Sequence, residues 1–286
     1  MERGDLMERQ LERTEFRDVN GLAVYERGEG ETTLVMPYSH AYTTSPMVEG
    51  TLAEMLAAMG RRVLTFDPPG SYRSTRPAQM DVAEMVGCAC ETLDAFGMRS
   101  PVDVVGHSMG AFCAAVFSAE NPNRVRRLAL VSPCGLGDPS KMRALPFGMT
   151  DSRFWRFYRY AIPVYMGRGT LGQHRALYDL LVPALHADPS KVDRLQSGDA
   201  DDAAPAPPRA AMLKGVPKVR REYLSRIAVP TLVATGSADA MIPVRLAENL
   251  RAWIPDARLV VFDACGHYPQ EETPEELRRA LADFLR

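Results

Sequence analysis

The pentapeptide Gly106-His107-Ser108-Met109-Gly110 constrains this chain more than any other stretch. An apolar run, Pro101-Val102-Asp103-Val104-Val105, leads into it, and a small-residue helical run, Ala111 to Glu120, leads out. That order predicts a strand, a one-residue turn and a helix, with a serine at the apex. So sharp a turn strains the backbone at Ser108. Gly106 and Gly110, two residues either side, leave room for neighbouring backbone to close in. The hydroxyl is then held at the carboxyl end of a parallel strand, facing the positive N-terminus of the next helix. The competing reading is a glycine-bounded turn whose serine caps that helix.

With 286 residues the chain fits one large α/β domain carrying an insertion. Its net charge of −2 offers no electrostatic case for nucleic acid or an anionic membrane surface. No 18-residue apolar run is present, so no membrane span is expected. Met1 to Arg13 alternates acids and bases without an apolar centre, so it is not expected to be a secretory signal. The five cysteines, Cys88, Cys90, Cys113, Cys134 and Cys265, form no Cys-x-x-Cys pair and have no metal-ligand spacing. They read as small hydrophobes in a reducing cytoplasm, with no metal or cofactor expected.

Along the chain, Thr14 to Val19 and Leu22 to Arg27 predict a hairpin closed at Asn20-Gly21. Thr33 to Pro37 reads as a strand and Pro46 to Met59 as a helix stopped by Gly60. Arg62 to Phe66 is a strand ending at the turn Asp67-Pro68-Pro69-Gly70, and Asp81 to Phe96 is a helix ended by Gly97. After the serine turn comes a strand from Val125 to Val131. The alternation then stops until a strand from Val229 to Thr235, a helix from Pro243 to Trp253, a strand from Arg258 to Phe262 and a helix from Pro274 to Leu285. Alternating strands and helices predict a mostly parallel, eight-stranded sheet covered on both faces. Residues 1–134 and 227–286 form that core, and residues 135–226 read as an inserted helical cap.

A serine hydroxyl is a poor nucleophile at neutral pH and needs a base, and the base needs a third group to orient it. Asp239 lies in the turn Gly236-Ser237-Ala238-Asp239 after a strand, where ligand sites form. The local alternative is an aspartate that stabilises the turn. His267, in Cys265-Gly266-His267-Tyr268-Pro269, follows the last strand and precedes an acidic helix start. An imidazole suits proton transfer near neutral pH. His107 is expected to pack beneath the serine turn, and His174 and His186 to be ordinary cap residues. The oxyanion that develops on a carbonyl needs two N–H donors. One is expected from Met109. The other comes from Tyr38-Ser39-His40-Ala41-Tyr42, at His40, or at Ser39 if the strand register slips by one.

Taken together, these residues resemble the α/β-hydrolase superfamily. The likeness is to its capped serine-hydrolase branch, with proline iminopeptidases, C–C bond hydrolases, perhydrolases and small esterases. It covers Glu15 to Ser132 and Val229 to Arg286. It implies Ser108 as nucleophile, His267 as general base and Asp239 as its orienting acid. Asp67-Pro68-Pro69-Gly70-Ser71-Tyr72-Arg73-Ser74 resembles the family's Asp-x-x-Gly-x-Gly-x-Ser segment, with Tyr72 in place of a glycine. Tyr38-Ser39 stands where the family usually has His-Gly, which counts against a proline iminopeptidase. Serine at position 108 disfavours haloalkane dehalogenase and epoxide hydrolase chemistry, which use an aspartate there.

In the cap, Trp155, Tyr158 and Ile162 share one helical face, and Arg153, Arg156 and Arg159 another. Ser39, Trp155, Tyr158 and Tyr268 are the candidate substrate contacts, and the aromatics point to a moderately apolar small molecule. The leading expectation is a cytoplasmic, cofactor-independent hydrolase of a small ester, thioester or amide. Acyl transfer or cyclisation, C–C bond hydrolysis, aminopeptidase activity and a slow-turnover ligand receptor remain alternatives. Oligomeric state is left open.

Overall fold

Period-two alternation along the strands decides which face each side chain joins. Leu22, Val24, Leu34, Met36, Leu64, Phe66, Leu128 and Leu130 enter one apolar cluster. Their neighbours Ala23, Tyr25, Val35, Val63, Ala129 and Val131 enter a second. A sheet with two buried faces needs helices on both. The computed structural model describes residues 15–37, 51–70, 73–77, 82–134, 136, 186–188, 221–239 and 242–286.

The eight described strands are β1 (Arg17–Val19), β2 (Leu22–Arg27), β3 (Glu31–Met36), β4 (Arg61–Phe66), β5 (Val102–His107), β6 (Val125–Val131), β7 (Thr231–Gly236) and β8 (Ala257–Phe262). They form one sheet in the order β1-β2-β4-β3-β5-β6-β7-β8. The β1–β2 and β2–β4 pairs are antiparallel, and every other pair is parallel. The Asn20-Gly21 hairpin forms with both residues at positive φ, +53° and +79°, as its tight turn requires.

Helices α1 (Thr51–Ala58), α2 (Val82–Ala95), α3 (Met109–Glu120), α4 (Arg221–Leu224), α5 (Val244–Trp253), α6 (Pro269–Glu272) and α7 (Pro274–Phe284), with a 3-10 turn at Pro122–Arg124, complete the described elements. The first cluster takes apolar residues from α2, α3 and α5 and also Leu224 of α4; the second takes them from α1 and α7. Helix α3 is buried nearly all round, which its small residues allow. The eight-stranded, mostly parallel sheet expected from the sequence is therefore the sheet observed. The one-turn helix α6 is an addition to that reading. Of the expected cap, residues 135–226, only Leu136, His186–Asp188 and 221–226 are among the described residues.

At the amino ends of the central strands, Asp103 is fully buried between two arginines. Arg126 grips its carboxylate in a fork at 2.9 and 2.6 Å. Arg61 meets it from the other side and also reaches Thr33 Oγ1 and the Leu285 carbonyl, each at 3.0 Å. Strands β3 to β6 and the chain's last turn are thus joined through one carboxylate.

Candidate active site

Parallel strands direct their carboxyl ends, and the loops that follow them, to one rim of the sheet. Three of those loops carry the residues of interest. Between β5 and α3, Ser108 adopts φ +52°, ψ −119°. That is a costly region for a residue with a Cβ, tolerated only where surrounding contacts impose it. Here the Ser108 N–H donates to the Val131 carbonyl at 2.9 Å, and its carbonyl accepts from Phe112 and Cys134, each at 3.2 Å. The glycines are obligatory. A Cβ on Gly106 would stand 2.5 Å from the Gly110 backbone, and one on Gly110 would stand 2.5 Å from the Met36 carbonyl oxygen.

Asp239, 5% exposed, follows β7. Its two oxygens have separate tasks. Oδ1 accepts from the Ile242 N–H at 2.8 Å, closing the turn, and Oδ2 lies 2.8 Å from His267 Nδ1. The two roles that the sequence sets against each other are thus divided between two atoms of one carboxylate. His267, 1% exposed, follows β8, and its Nε2 lies 3.0 Å from Ser108 Oγ. An ionised carboxylate only accepts, so the hydrogen shared with Asp239 belongs to Nδ1, and a neutral imidazole of that tautomer has its lone pair at Nε2. The three residues are widely separated in sequence and within hydrogen-bond range in space.

The neighbourhood is aromatic. His107, read as packing beneath the turn, also has its Nε2 2.8 Å from the His267 carbonyl, so that nitrogen donates. Tyr268 is buried, its ring edge-on to His267 at 5.3 Å (84°) and stacked on His186 at 4.7 Å (14°). His186 therefore belongs to the surroundings of the site. Asp67 and Ser74 are also tied together at this rim. The Asp67 carboxylate takes the Tyr25 hydroxyl, and the Ser74 hydroxyl donates to the Asp67 carbonyl at 2.6 Å.

Met109 opens α3, so its N–H is among the four that an α-helix leaves without an intrahelical partner, directly beside the serine. His40, Ser39, Trp155 and Tyr158 lie outside the described residues. Among the described residues no cluster of three His, Cys, Asp or Glu side chains has the arrangement of a metal site. No helix among them is long and apolar enough to cross a membrane. Sequence reasoning missed Glu272, read as part of an acidic helix start. It is 6% exposed and directs its carboxylate at the backbone around His267. Its position five residues after the histidine is the only signal the sequence holds.

This fold is that of a known class. The family model for the alpha/beta hydrolase fold matches residues 39–274. The chain belongs to that family and is a hydrolase. It is 29% identical over 266 residues to the 2-hydroxymuconate semialdehyde hydrolase of Pseudomonas putida, covering 92% of this chain and 89% of that one. It is also 29% identical over 252 residues to the pimeloyl-[acyl-carrier protein] methyl ester esterase of Aromatoleum aromaticum, covering 86% and 96%. Among solved structures it resembles a thermophilic esterase from Thermogutta terrifontis, with a TM-score of 0.68, 21% identity and coverage of 96% and 97%. It likewise resembles a 2-hydroxy-6-oxo-6-phenylhexa-2,4-dienoate hydrolase from Rhodococcus, with a TM-score of 0.70, 20% identity and coverage of 93% and 94%.

Proposed function

We propose that the chain is a serine hydrolase that opens a carbonyl compound of small, moderately apolar character through an acyl-enzyme. Ser108 is the nucleophile, His267 the general base and Asp239 the acid that orients it. One observation carries this reading: the unbroken path from Ser108 Oγ to His267 Nε2 at 3.0 Å and from His267 Nδ1 to Asp239 Oδ2 at 2.8 Å. In the first half-reaction Oγ bonds to the substrate carbonyl carbon while its proton passes to Nε2. The imidazolium that forms is stabilised by the adjacent carboxylate. The Met109 N–H, joined by that of His40, takes the charge developing on the carbonyl oxygen. The leaving group departs with the proton from Nε2. Water then repeats the sequence and releases the acid.

Residues 135–226 would cover this rim as a cap. Ser39, Trp155, Tyr158 and Tyr268 are assigned to the substrate's surroundings. An ester, thioester or amide is the leading substrate class. C–C bond hydrolysis is the second reading, favoured by the names of relatives 26–29% identical, which are hydrolases of 2-hydroxymuconate semialdehyde and of 2-hydroxy-6-oxononadienedioate and 2-hydroxy-6-oxononatrienedioate. In that case the expelled carbon group takes the proton from His267. A panel of p-nitrophenyl esters of graded chain length, beside a 2-hydroxy-6-oxo dienoate, separates the two. Turnover of either class that depends on Ser108 supports the proposal, and its preference names the substrate class. Equal turnover by wild type and Ser108→Ala contradicts it.

A further inference from the structure

The one-turn helix α6 carries a buried carboxylate that the proposed chemistry does not use. Glu272 Oε1 accepts from the N–H groups of Gly266 at 3.0 Å and Tyr268 at 3.4 Å, the residues on either side of His267. Its Oε2 accepts from the Ala187 N–H at 2.9 Å. A buried carboxylate is tolerated when donors surround it, and such charge-assisted bonds are about twice as strong as neutral ones.

His267 stands on a loop, where no sheet ladder fixes its backbone. Three backbone groups of that loop nevertheless have partners. Gly266 and Tyr268 donate to Glu272, and the His267 carbonyl accepts from His107 at 2.8 Å. The same turn is the seat of residues 186–188. Besides the Ala187 bond, the His186 ring stacks on Tyr268, and its Nε2 lies 3.3 Å from Glu271 Oε2. Tyr268 in turn packs edge-on against His267.

We propose that Glu272 is a positioning residue. One carboxylate oxygen sets the aim of the His267 imidazole, and the other makes that aim depend on how His186–Asp188 seats against the same turn. This rests on the reading of Ser108 and His267 as nucleophile and base, and adds to it a coupling to a segment far away in sequence. Glu272→Ala leaves three backbone donors without their acceptor and loosens the loop. Glu272→Gln is more selective. Its carbonyl oxygen still serves Gly266 and Tyr268, while its amide NH2 meets the Ala187 N–H donor to donor. Ala187→Pro removes that same N–H from the other side.

The test measures, per titrated active site, the rate of Ser108 phosphonylation by a fluorophosphonate, together with kcat and KM on an ester that the wild type hydrolyses. Melting temperature is recorded beside them. Glu272→Ala is expected to slow phosphonylation and kcat about 10²-fold, the scale of an ångström of misplacement. KM should stay within about threefold. Glu272→Gln and Ala187→Pro should each slow both rates by about three- to tenfold. The double variant should be no slower than either, because both remove one contact. Wild-type rates in Glu272→Ala, whatever its melting temperature, overturn the proposal. If that variant does not fold, additive losses or no losses in the Gln/Pro cycle overturn it. Ser108→Ala separates the two levels. Persistent labelling there sinks the nucleophile assignment, whereas a silent Ser108→Ala beside a wild-type Glu272→Ala sinks only the role of Glu272.

Discussion

A Cβ built on Gly236 would stand 2.1 Å from the carbonyl oxygen of Cys265 and 2.3 Å from that of Gly266. The end of β7, which leads to Asp239, therefore touches the backbone that leads to His267 with no side chain between them. Two hydrogen bonds close the same contact, Ala238 N–H to the Cys265 carbonyl and Ser237 N–H to the Phe262 carbonyl, each at 2.8 Å. Backbone proximity here is what lets a short aspartate reach the imidazole.

Gly236→Ala tests that contact. The methyl group displaces backbone, which does not yield like a side-chain tip. We expect a stability loss of about 1–3 kcal/mol. A fall in kcat of about 10²-fold should accompany it as Asp239 and His267 separate. Urea unfolding and steady-state kinetics on the same preparation read both. Wild-type values in each would show that the two loops are not registered through Gly236.

Asp239→Asn preserves the shape of the side chain and an oxygen for the Ile242 N–H, but removes the charge that selects the His267 tautomer. The expected result is a drop in kcat of about 10³–10⁴-fold with unchanged circular dichroism and melting temperature. Asp239→Ala should lose the same activity and also about 1 kcal/mol, because the turn bond goes with it.

Asp103 predicts the reverse pattern. It lies at the amino ends of the strands, away from the rim that carries Ser108. Asp103→Ala leaves Arg61, with only 8% of its surface exposed, without its buried counter-ion. A broken buried pair of this kind costs about 3–5 kcal/mol. Urea unfolding should show that loss, while kcat per folded molecule stays at the wild-type value.

Burial pushes the Cys88 and Cys113 thiols up to about 12. An unfolded thiol ionises near 8.5. Between about pH 9 and pH 12 the unfolded chain therefore holds fewer protons than the folded one, so stability falls as pH rises. The slope reaches about 1.4 kcal/mol per pH unit for each thiol. Cys113→Ala should flatten the alkaline decline by one such increment. An unchanged slope between pH 9 and 11 contradicts the assignment.

Much of the fold is legible in the order of residues because its signals are local. Asn20-Gly21 turns a hairpin, Gly60 and Gly97 end helices, and alternating apolar runs mark buried strands. The order of strands in the sheet is not local. That β2 pairs with β4, and not with β3, depends on packing that no short window contains. Asp103 shows the same limit. It sits inside an apolar run, and its partners Arg61 and Arg126 come from two other strands. Ser108, Asp239 and His267 stand out in sequence because each follows a strand at a turn with a recognisable composition. Glu272 does not, because an acidic residue in a first helical turn already has a sufficient local explanation in the helix dipole. Its bonds to Gly266, Tyr268 and Ala187 become visible only once the chain has folded.

If the imidazole of His267 activates one hydroxyl, treatment with a fluorophosphonate and peptide mass spectrometry of the adduct will reveal which. We expect a single adduct on the peptide containing Ser108, absent in Ser108→Ala and formed about 10³-fold or more slowly in His267→Ala. An adduct on another residue, or one that forms at the wild-type rate without His267, contradicts it.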